Sequence, residues 1–464
     1  MTGSTNPTKF RIAIVGGGIG GLACAVALKD YTNIEINVYE QAAQITEIGA
    51  GVTVWPRTWE ILKSLGLEKD LSVLLKEPPS NVQKVAFEMR LSDRKKGFTF
   101  RKIFTRDGGF CFHRSNLQSA LLRQIISDSS SASSSCNCKI HLSHRLERCE
   151  ETNNSVKLFF ENGYSTSCDM AIGADGIKSV VRKHVVSLSN TTGLGGQLIF
   201  TGSKAFRGLV TRERFERLFP NHRALVNAVM YNGKSKHIVV YPINGGKLIN
   251  IAAFISQPEG EGKVFPAFHG NRRTTEEMLD AFSGWEPEAI QLLSTIEDPS
   301  CWPIQDLHPL KTYTTRRILL LGDAAHAMTP HLGWNFFLFF CVLSEPIDLH
   351  RRGCRTGHRS YLFSKLIQPR YPDPQSLLHL IKVYDKLRRP FANHLQKNSR
   401  KQGYYNELNM PEFDDIHYEG QELDAEQIVA LGCALRENWD SWWQDCALKD
   451  VEEGLEMLRV QAKM

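Results

Sequence analysis

The sequence predicts an α/β fold, and three observations support this class. A strand, a glycine-rich turn, a helix and a second strand follow one another over residues 11–40, which is the pattern of a βαβ unit. Strand-like runs recur over residues 197–256. A predicted strand at Arg317–Gly322 then returns the chain to the nucleotide-domain pattern of strand followed by helix. From about residue 376 the chain becomes helical. The predicted architecture is a discontinuous Rossmann-like domain with an inserted, mainly antiparallel β-sheet domain and a helical C-terminal tail.

Composition and charge exclude several classes of protein. The chain has 464 residues, of which 42% are hydrophobic and 23% are charged, so it is neither disordered nor collagen-like nor a small disulfide scaffold. This length allows two or three domains. The formal net charge of +6 is too dilute to indicate nucleic-acid binding. The 11 cysteines include no C-x-x-C pair, which indicates reduced thiols in a reducing compartment.

The N-terminal residues and the length of the apolar runs predict a cytoplasmic protein without a transmembrane segment. Residues 1–10 are polar and lack the apolar core of a secretory signal. The longest apolar run, residues 336–343, is shorter than the roughly 20 residues that a membrane-spanning helix needs. Nothing in the sequence predicts an oligomeric state.

The first βα turn carries a dinucleotide-binding motif. The strand-like run Arg11–Val15 leads into Gly16-x-Gly18-x-x-Gly21 and then into a helix rich in Ala and Leu. The glycines allow the N-terminus of that helix to approach a pyrophosphate, whose charge the backbone N–H groups stabilise. The next strand ends on Glu40, which is placed to bind a ribose hydroxyl.

Later elements follow from periodicity. Alternating apolar residues over 82–104 predict a hairpin with a charged turn, and Arg114–Ile126 is a predicted helix. The runs Lys236–Tyr241 and Leu248–Phe254 predict strands of the inserted sheet. Residues 421–464 predict an acidic helical tail.

Two further motifs indicate which dinucleotide is bound. Gly173-Ala-Asp-Gly-Ile-Lys-Ser179 follows the strand-like run Cys168–Ile172, and Leu321-Gly-Asp-Ala-Ala-His-Ala-Met-Thr-Pro330 follows another predicted strand. With these motifs, the sequence from about residue 10 to 405 resembles the single-component FAD-dependent aromatic hydroxylases, which are the salicylate hydroxylase-like fungal FAD monooxygenases. The resemblance implies that the Rossmann-like domain binds FAD and that the inserted sheet holds the substrate.

The resemblance also implies a set of cofactor-binding residues. Gly16, Gly18 and Gly21 are expected to bind the FAD diphosphate, and Glu40 the ribose. Gly51 is expected to allow close approach to the isoalloxazine ring, and Arg114 to contact FAD. Asp175 and Gly176 are expected to contact both FAD and the visiting NAD(P)H, and Asp323 to bind the ribityl chain. From the residues alone, Asp175 also fits a turn and Asp323 also fits a helix N-cap. No metal site is predicted, because His326 and His331 have no carboxylate or thiolate at a supporting spacing.

The reaction is implied by the same resemblance. NAD(P)H reduces FAD, O2 reacts with the reduced flavin, and a flavin hydroperoxide transfers oxygen to an electron-rich ring. A phenol reacts best as phenolate, so a cation or donor is needed beside its oxygen. Arg207 and Tyr241 resemble substrate-binding residues of fungal members and form the predicted catalytic pair. The alternative for Arg207 is a surface salt bridge, and the alternative for Tyr241 is a core tyrosine hydrogen-bonded to the backbone. His237, on the same strand face as Tyr241, is a secondary candidate for a proton relay. Trp55 and Pro56 are expected either to line one wall or to pack in the core.

Domain boundaries follow from the positions of the motifs. The predicted FAD-binding segments are 8–80, 105–185 and 304–405, the predicted substrate-domain segments are 81–104 and 186–303, and the predicted tail is 406–464.

Residues 334–359 depart from the family pattern. After Gly333 the family continues with a Gly- and Ala-rich helix start, whereas this chain has a Phe-rich apolar stretch, and recognisable family sequence returns at Tyr361. One explanation is a retained intron or frameshift in the gene model, and the other is a genuine apolar insertion. An experimentally supported transcript that encodes the stretch without a break would contradict the first explanation.

The sequence thus predicts an FAD-dependent monooxygenase that uses NAD(P)H and O2 on a phenolic or aromatic carboxylate substrate. Two alternatives stay open. One is a flavin epoxidase that acts on a terpenoid alkene, and the other is an inactive product of a mis-spliced gene model.

Overall fold

The computed structural model of the protein describes residues 9–31, 33–45, 51–126, 137–189, 194–263, 271–332 and 374–443. The segment 334–359, for which the sequence predicts a departure from the family, lies outside the described residues.

The strands and helices follow in chain order. The strands are β1 (Phe10–Val15), β2 (Ile34–Tyr39), β3 (Gly51–Val54), β4 (Gln83–Leu91), β5 (Phe98–Arg106), β6 (Phe110–His113), β7 (Cys138–His141), β8 (Leu146–Glu151), β9 (Val156–Phe160), β10 (Ser165–Cys168), β11 (Met170–Gly173), β12 (Leu198–Thr211), β13 (Val229–Gly233), β14 (Lys236–Ile243), β15 (Leu248–Ser256), β16 (Asn271–Arg272), β17 (Ser300–Leu307) and β18 (Ile318–Leu320). The helices are α1 (Ile19–Leu28), α2 (Pro56–Ser64), α3 (Glu68–Ser72), α4 (Arg114–Ile126), α5 (Val180–Leu188), α6 (Arg212–Leu218), α7 (Thr275–Ala281), α8 (Pro287–Ser294), α9 (Asp323–His326), α10 (Pro374–Asn406) and α11 (Ala425–Trp443).

A five-stranded parallel sheet forms the nucleotide-binding part of the fold. Its strand order is β18-β11-β1-β2-β7, and each neighbouring pair is parallel. Strand β1 is buried from Ile12 to Val15, and α1 is buried along nearly its whole length, as both faces of a parallel sheet require. The predicted Rossmann-like order of strand, turn, helix and strand is confirmed, and α1 begins within the glycine motif at Ile19.

The second large sheet has eight strands in the order β16-β17-β12-β15-β14-β13-β4-β5. Neighbouring strands are antiparallel except β13 and β4, which are parallel. One face packs on α6, α7 and α8 through a core that includes Phe215, Phe282 and Trp285. The predicted inserted and mainly antiparallel sheet is confirmed, and its other face is free to form a site.

Strand β18 is shorter than the predicted strand Arg317–Gly322. The backbone N–H of Arg317 donates to the side chain of Glu151 instead of extending the ladder. At the other end, Gly322 has a φ of +60° and turns the chain into α9. The strand therefore ends where its motif loop begins.

The C-terminal tail contains helix α11. Leu431, Leu435 and Trp439 recur at four-residue spacing and are only 1–2% exposed, so this face of α11 packs on the rest of the protein. The predicted helical character of the tail is confirmed for Ala425–Trp443. Among the helices that the structure describes, none combines the length and the apolar character needed to cross a membrane. The domain boundaries given above stay a prediction.

Candidate active site

The first βα turn is closed by backbone contacts that only glycine allows. Gly16 has a φ of +111°, and a Cβ added there would lie 2.2 Å from the carbonyl oxygen of Ala174. A Cβ at Gly21 would lie 2.0 Å from the carbonyl oxygen of Gly16. These two glycines therefore permit the close packing of turn, helix and neighbouring strand.

Gly18 has a different environment from its two partners in the motif. A Cβ built on it meets nothing within 4 Å, and its φ of −68° suits any residue. Gly18 precedes α1 and lines a cavity of about 440 Å³. The open space at this helix N-terminus can take a phosphate group, which the helix dipole and N–H groups would stabilise.

Glu40 directly follows β2, at the edge where the strands of the parallel sheet end. Its Oε2 accepts a hydrogen bond from the N–H of Gly17 at 2.6 Å, and its Oε1 accepts one from Ala42 at 2.8 Å. The carboxylate is thus fixed against the glycine turn, at the position where the motif predicts a ribose ligand. It does not line the cavity.

Asp175 caps a helix. Its Oδ2 accepts hydrogen bonds from the N–H groups of Val180 and Val181 at 2.7 and 3.1 Å, and Ser179 donates to its Oδ1. Burial raises the pKa of Asp175, while these bonds act to lower it. The carboxylate caps the N-terminus of α5, a role that the sequence analysis did not assign to Asp175, and the adjacent Gly176 lines the cavity.

Arg182 joins the second and third motif loops. Its guanidinium donates to the carbonyl oxygens of Ile177 at 2.5 Å, Asp323 at 3.4 Å and Ala324 at 3.2 Å. The side chain is buried, and that burial lowers its pKa, while the carboxylates of Asp175 and Asp323 act to raise it. The arginine therefore holds the backbone around Asp323. Asp323 is the first residue of α9 and lines the cavity.

The open face of the eight-stranded sheet forms another wall of the cavity. On β14, His237, Val239 and Tyr241 alternate onto this face, as the period of two requires, and all three line the cavity. In the register, Tyr241 lies opposite Asn250, which also lines the cavity. Arg207 lies opposite Ala252, which in turn lies opposite Val239. The cross-strand set of Arg207, Ala252 and Val239 is therefore the next one along the sheet, on the same face, from the set that contains Tyr241 and Asn250.

Arg207 and Tyr241 form an electropositive, hydrogen-bonding corner. Burial lowers the pKa of Arg207, with Tyr241 acting to raise it and Arg114 to lower it. Burial also raises the pKa of Tyr241 far above its usual value, so the phenol keeps its proton and can donate. Among the described residues, Tyr241 and Arg114 act on the charge of Arg207, and no carboxylate does. A partly buried cation without an acidic partner favours an anionic ligand.

Gly51 lies directly beside this corner. Its N–H donates to Asn250 Oδ1 at 3.1 Å, and a Cβ on it would lie 2.7 Å from Cε2 of Tyr241. The hydrogen bond of Asn250 thus links β3 of the nucleotide part to β15 of the large sheet. Because Gly51 has no side chain, these two strands can approach each other closely.

An aromatic wall completes the cavity. Trp55, Phe87 and Trp439 line it, and the ring of Trp439 lies 6.2 Å from that of Trp55 and 5.4 Å from that of Phe87, centroid to centroid. The two alternatives for Trp55 both apply, since it lines the cavity and is also a buried core residue, 3% exposed. Pro56 begins α2 and does not line the cavity. The aromatic faces suit a flat, apolar ring.

The comparisons with known proteins agree with this geometry. Residues 9–336 match the FAD binding domain family. The chain is 31% identical over 414 residues to salicylate hydroxylase of Pseudomonas putida, covering 88% of each chain. It is 28% identical to 6-methylsalicylate 1-monooxygenase of Aspergillus terreus, covering 71% of this chain and 72% of that protein. A solved salicylate hydroxylase in its substrate complex has a TM-score of 0.78 and 25% identity, covering 97% and 98% of the two chains.

The chain belongs to the family of salicylate hydroxylase-like, FAD-dependent monooxygenases. The match to the FAD binding domain ends close to Trp334, where the sequence departs from the family pattern.

The residues present fit the FAD of this family. Gly18 leaves open space at the N-terminus of α1, and Gly176 and Gly322, both with positive φ, have nothing within 4 Å of an added Cβ. All three border the same cavity as Asp323. The structure therefore brings the three motif loops and the pair Arg207 and Tyr241 to one space, although the role of each residue toward FAD stays a prediction.

Several lining residues escaped the sequence analysis. Met230, Asn250, Asn406 and Trp439 line the cavity, and none belongs to a motif. Asn250 could have been found, because it is the one polar residue in the apolar run Leu248–Phe254 of a predicted strand. Asn406 and Trp439 come from the helical C-terminal part, and no local sequence pattern predicts that they line the cavity.

Proposed function

We propose that the protein uses NAD(P)H and O2 to hydroxylate a phenolic or aromatic carboxylate substrate. The observation that carries the proposal is the pair Arg207 and Tyr241, which faces the same cavity as the FAD-binding loops. The relatives support it, since they include hydroxylases of salicylate, 6-methylsalicylate and 3-amino-4-hydroxybenzoate.

The cation and the phenol act on the charge of the substrate. Arg207 stabilises a phenolate or carboxylate oxygen by a charge-assisted hydrogen bond, and Tyr241 donates a second bond from its protonated hydroxyl. Both act in a partly buried site, where a fixed donor stabilises charge better than it does in water. The phenolate form carries more electron density on its ring, which is the property that attack on activated oxygen requires.

FAD, when bound, supplies the activated oxygen after NAD(P)H has provided two electrons. The protein orients the substrate and excludes water. Trp55, Phe87 and Trp439 offer flat apolar surface to the ring, while Arg207 fixes its charged end. An apolar wall and a charged corner in the same cavity set the direction in which an amphipathic aromatic ring enters it.

The experiment is NAD(P)H oxidation by the FAD-loaded enzyme against a panel of phenols and benzoates, with peroxide and product measured together. We expect selected phenols to stimulate oxidation and to appear as hydroxylated products. Arg207→Gln should lower kcat/KM by about 100-fold, because it removes the cation beside the oxyanion. Tyr241→Phe, which removes only a hydroxyl, should cost about tenfold.

Other outcomes would favour the alternatives. An epoxidase does not need phenolate, so full activity of Arg207→Gln on an alkene and none on phenols would support the flavin epoxidase and overturn the proposal. Absence of both bound FAD and stimulated NAD(P)H oxidation would support an inactive product of a mis-spliced gene model. Sequencing of the transcript across residues 334–359 would then identify the cause.

A further inference from the structure

A glycine lies inside the long C-terminal helix α10, near its end. Gly403 has no positive φ, so the backbone does not require a glycine there. Glycine destabilises a helix interior relative to alanine, because it loses more conformational freedom on folding. A Cβ built on Gly403 would lie 2.6 Å from both Cδ2 and Nε2 of His331, which lines the cavity. The missing side chain of Gly403 therefore makes room for the ring of a cavity residue.

The segment that carries this histidine is held against the same helix. Gln396 Nε2 donates to the carbonyl oxygen of Ala327 at 2.8 Å, and Ser399 Oγ donates to that of Thr329 at 2.6 Å. These two helix residues and the glycine are spaced by three and four positions, so they lie on one face of α10. Every second residue of the segment, from position 327 to position 331, meets the helix about one turn further on. The backbone that leads to the histidine is therefore attached to the helix against which its ring packs.

The ring of His331 is confined between α10 and the substrate sheet. Its centroid lies 5.1 Å from that of His237 and 5.2 Å from that of Phe254. Those two rings stack on each other with 4.4 Å between centroids and are 1% and 4% exposed. Nδ1 of His237 also lies 2.9 Å from Oε1 of Glu407, which fixes the imidazole in place. A side chain at position 403 would therefore push the His331 ring toward the cavity, because the sheet side is filled.

His331 stands at one end of the substrate wall. The cross-strand set that contains Arg207 lies between the set that contains Tyr241 and the set of His237 and Phe254. His331 packs on the last of these sets, so it lies at the opposite end of the wall from Tyr241. A substrate ring held by Arg207 would therefore meet the imidazole of His331 with any substituent that extends in this direction.

We propose that Gly403 and His331 form a specificity-determining pair that sets how far the substrate cavity extends beyond Arg207. His331 borders the substituents of the substrate, and Gly403 is the positioning residue that keeps its ring out of the cavity. The ligand class is a phenol or hydroxybenzoate whose substituents are small on the side of His331. The inference deepens the proposed function and rests on it for the identity of the substrate, whereas the contact between the two residues does not depend on it.

The substrate profile tests the pair first. The FAD-loaded enzyme is assayed with salicylate and with salicylates that carry alkyl groups of increasing length at each ring position. In His331→Ala, kcat/KM for a long-chain derivative relative to salicylate should rise by about tenfold, because methylene groups fill the space that the imidazole leaves. In Gly403→Ala the same ratio should fall. The Kd for salicylate in Gly403→Ala, read from the flavin absorbance, should rise by about tenfold because the displaced ring occupies the cavity.

The double variant and a second helix glycine complete the test. Gly403→Ala combined with His331→Ala should show the substrate profile of His331→Ala alone, because the added methyl group enters vacated space. In urea unfolding, Gly403→Ala should lower the midpoint of the wild type and raise that of His331→Ala, since alanine is the better helix former. Gly432→Ala, in α11, is the matched control. A Cβ at Gly432 would lie 3.4 Å from Cδ of Arg101 and away from the cavity, so neither the profile nor the Kd should change.

The outcomes separate this inference from the proposed function. An unchanged profile in both Gly403→Ala and His331→Ala would overturn the specificity role. An equal shift of the urea midpoint by Gly403→Ala in both backgrounds would overturn the contact, and so would a Gly403→Ala protein that fails to fold and is not recovered by His331→Ala. A wild-type enzyme that hydroxylates no phenol would overturn the proposed function, whereas the unfolding measurements, which need no substrate, would still report on the pair.

Discussion

Arg182 donates a hydrogen bond from Nη1 to the carbonyl oxygen of Ala324 at 3.2 Å, and this bond connects the second and third motif loops. The same guanidinium holds Ile177 in the second loop. The two loops are far apart in sequence, so a single buried side chain fixes the distance between the Gly176 and Asp323 walls of the cavity. The shape of this cavity therefore depends on Arg182, although Arg182 does not line it.

Replacement of Arg182 should therefore weaken FAD binding. Arg182→Gln removes the charge-assisted hydrogen bonds, each of about 1.5–3 kcal/mol, so we expect the Kd for FAD to rise by at least about tenfold. Titration of the apoprotein with FAD, followed by flavin fluorescence, measures the change. Lys183→Gln, at the exposed neighbouring position, is the control and should bind FAD as the wild type does.

The glycine motif separates folding from cofactor binding. Gly18→Ala adds a methyl group in open space, so the free energy of unfolding should change by about 0.5–1 kcal/mol at most while FAD affinity falls. Gly21→Ala puts a methyl group against the carbonyl of Gly16 and should destabilise the protein by about 1–3 kcal/mol or more. Urea unfolding and FAD titration of both variants check this. Equal effects of the two substitutions on stability would contradict the account.

Trp439 should influence which substrates are accepted. Trp439→Ala removes an aromatic wall of the cavity, so kcat/KM for a bulkier phenol relative to a smaller one should rise by about tenfold. Leu435→Ala, one turn earlier on α11 and equally buried, does not touch the cavity. Both variants should lose stability by about 2–5 kcal/mol, and only Trp439→Ala should change the substrate profile. A parallel change in Leu435→Ala would assign the effect to helix packing.

Buried His326 should make the protein sensitive to acid. Burial lowers its pKa from 6.5 to about 3, so the folded state disfavours the protonated ring. The unfolded state takes up the proton first; stability is therefore complete above about pH 6.5 and is lost as pH falls toward 3, at about 1.4 kcal/mol per pH unit. Urea unfolding at several pH values should show a smaller slope in His326→Gln. An identical slope in both proteins would contradict the assignment.

The fold and much of the site could be predicted because their signals are local. The glycine motif requires a strand before it and a helix after it, and the period of two puts His237 and Tyr241 on one face of a strand. Asp175 and Gly176 were predicted together, yet the carboxylate caps α5 and only the glycine borders the cavity. From the sequence, the capping and binding roles of such an aspartate look alike.

The contributions of the C-terminal part could not be predicted. Trp439 and Asn406 reach the cavity only through tertiary packing between elements that are distant in sequence, and amphipathic helix periodicity shows which face is buried but not what it contacts. A buried tryptophan and a buried asparagine in such helices give no local indication of a cavity. Their importance follows from the cavity that they line together with Phe87 and Tyr241.

The most direct test of the central claim is the origin of the oxygen atom in the product. The FAD-loaded enzyme is supplied with NAD(P)H, isotopically labelled O2 and the phenol that best stimulates NAD(P)H oxidation, and the product is examined by mass spectrometry. The account predicts one labelled oxygen atom on the aromatic ring, and about 100-fold less of this product with Arg207→Gln. Oxygen derived from water, or labelled peroxide as the sole product with every phenol tested, would contradict it.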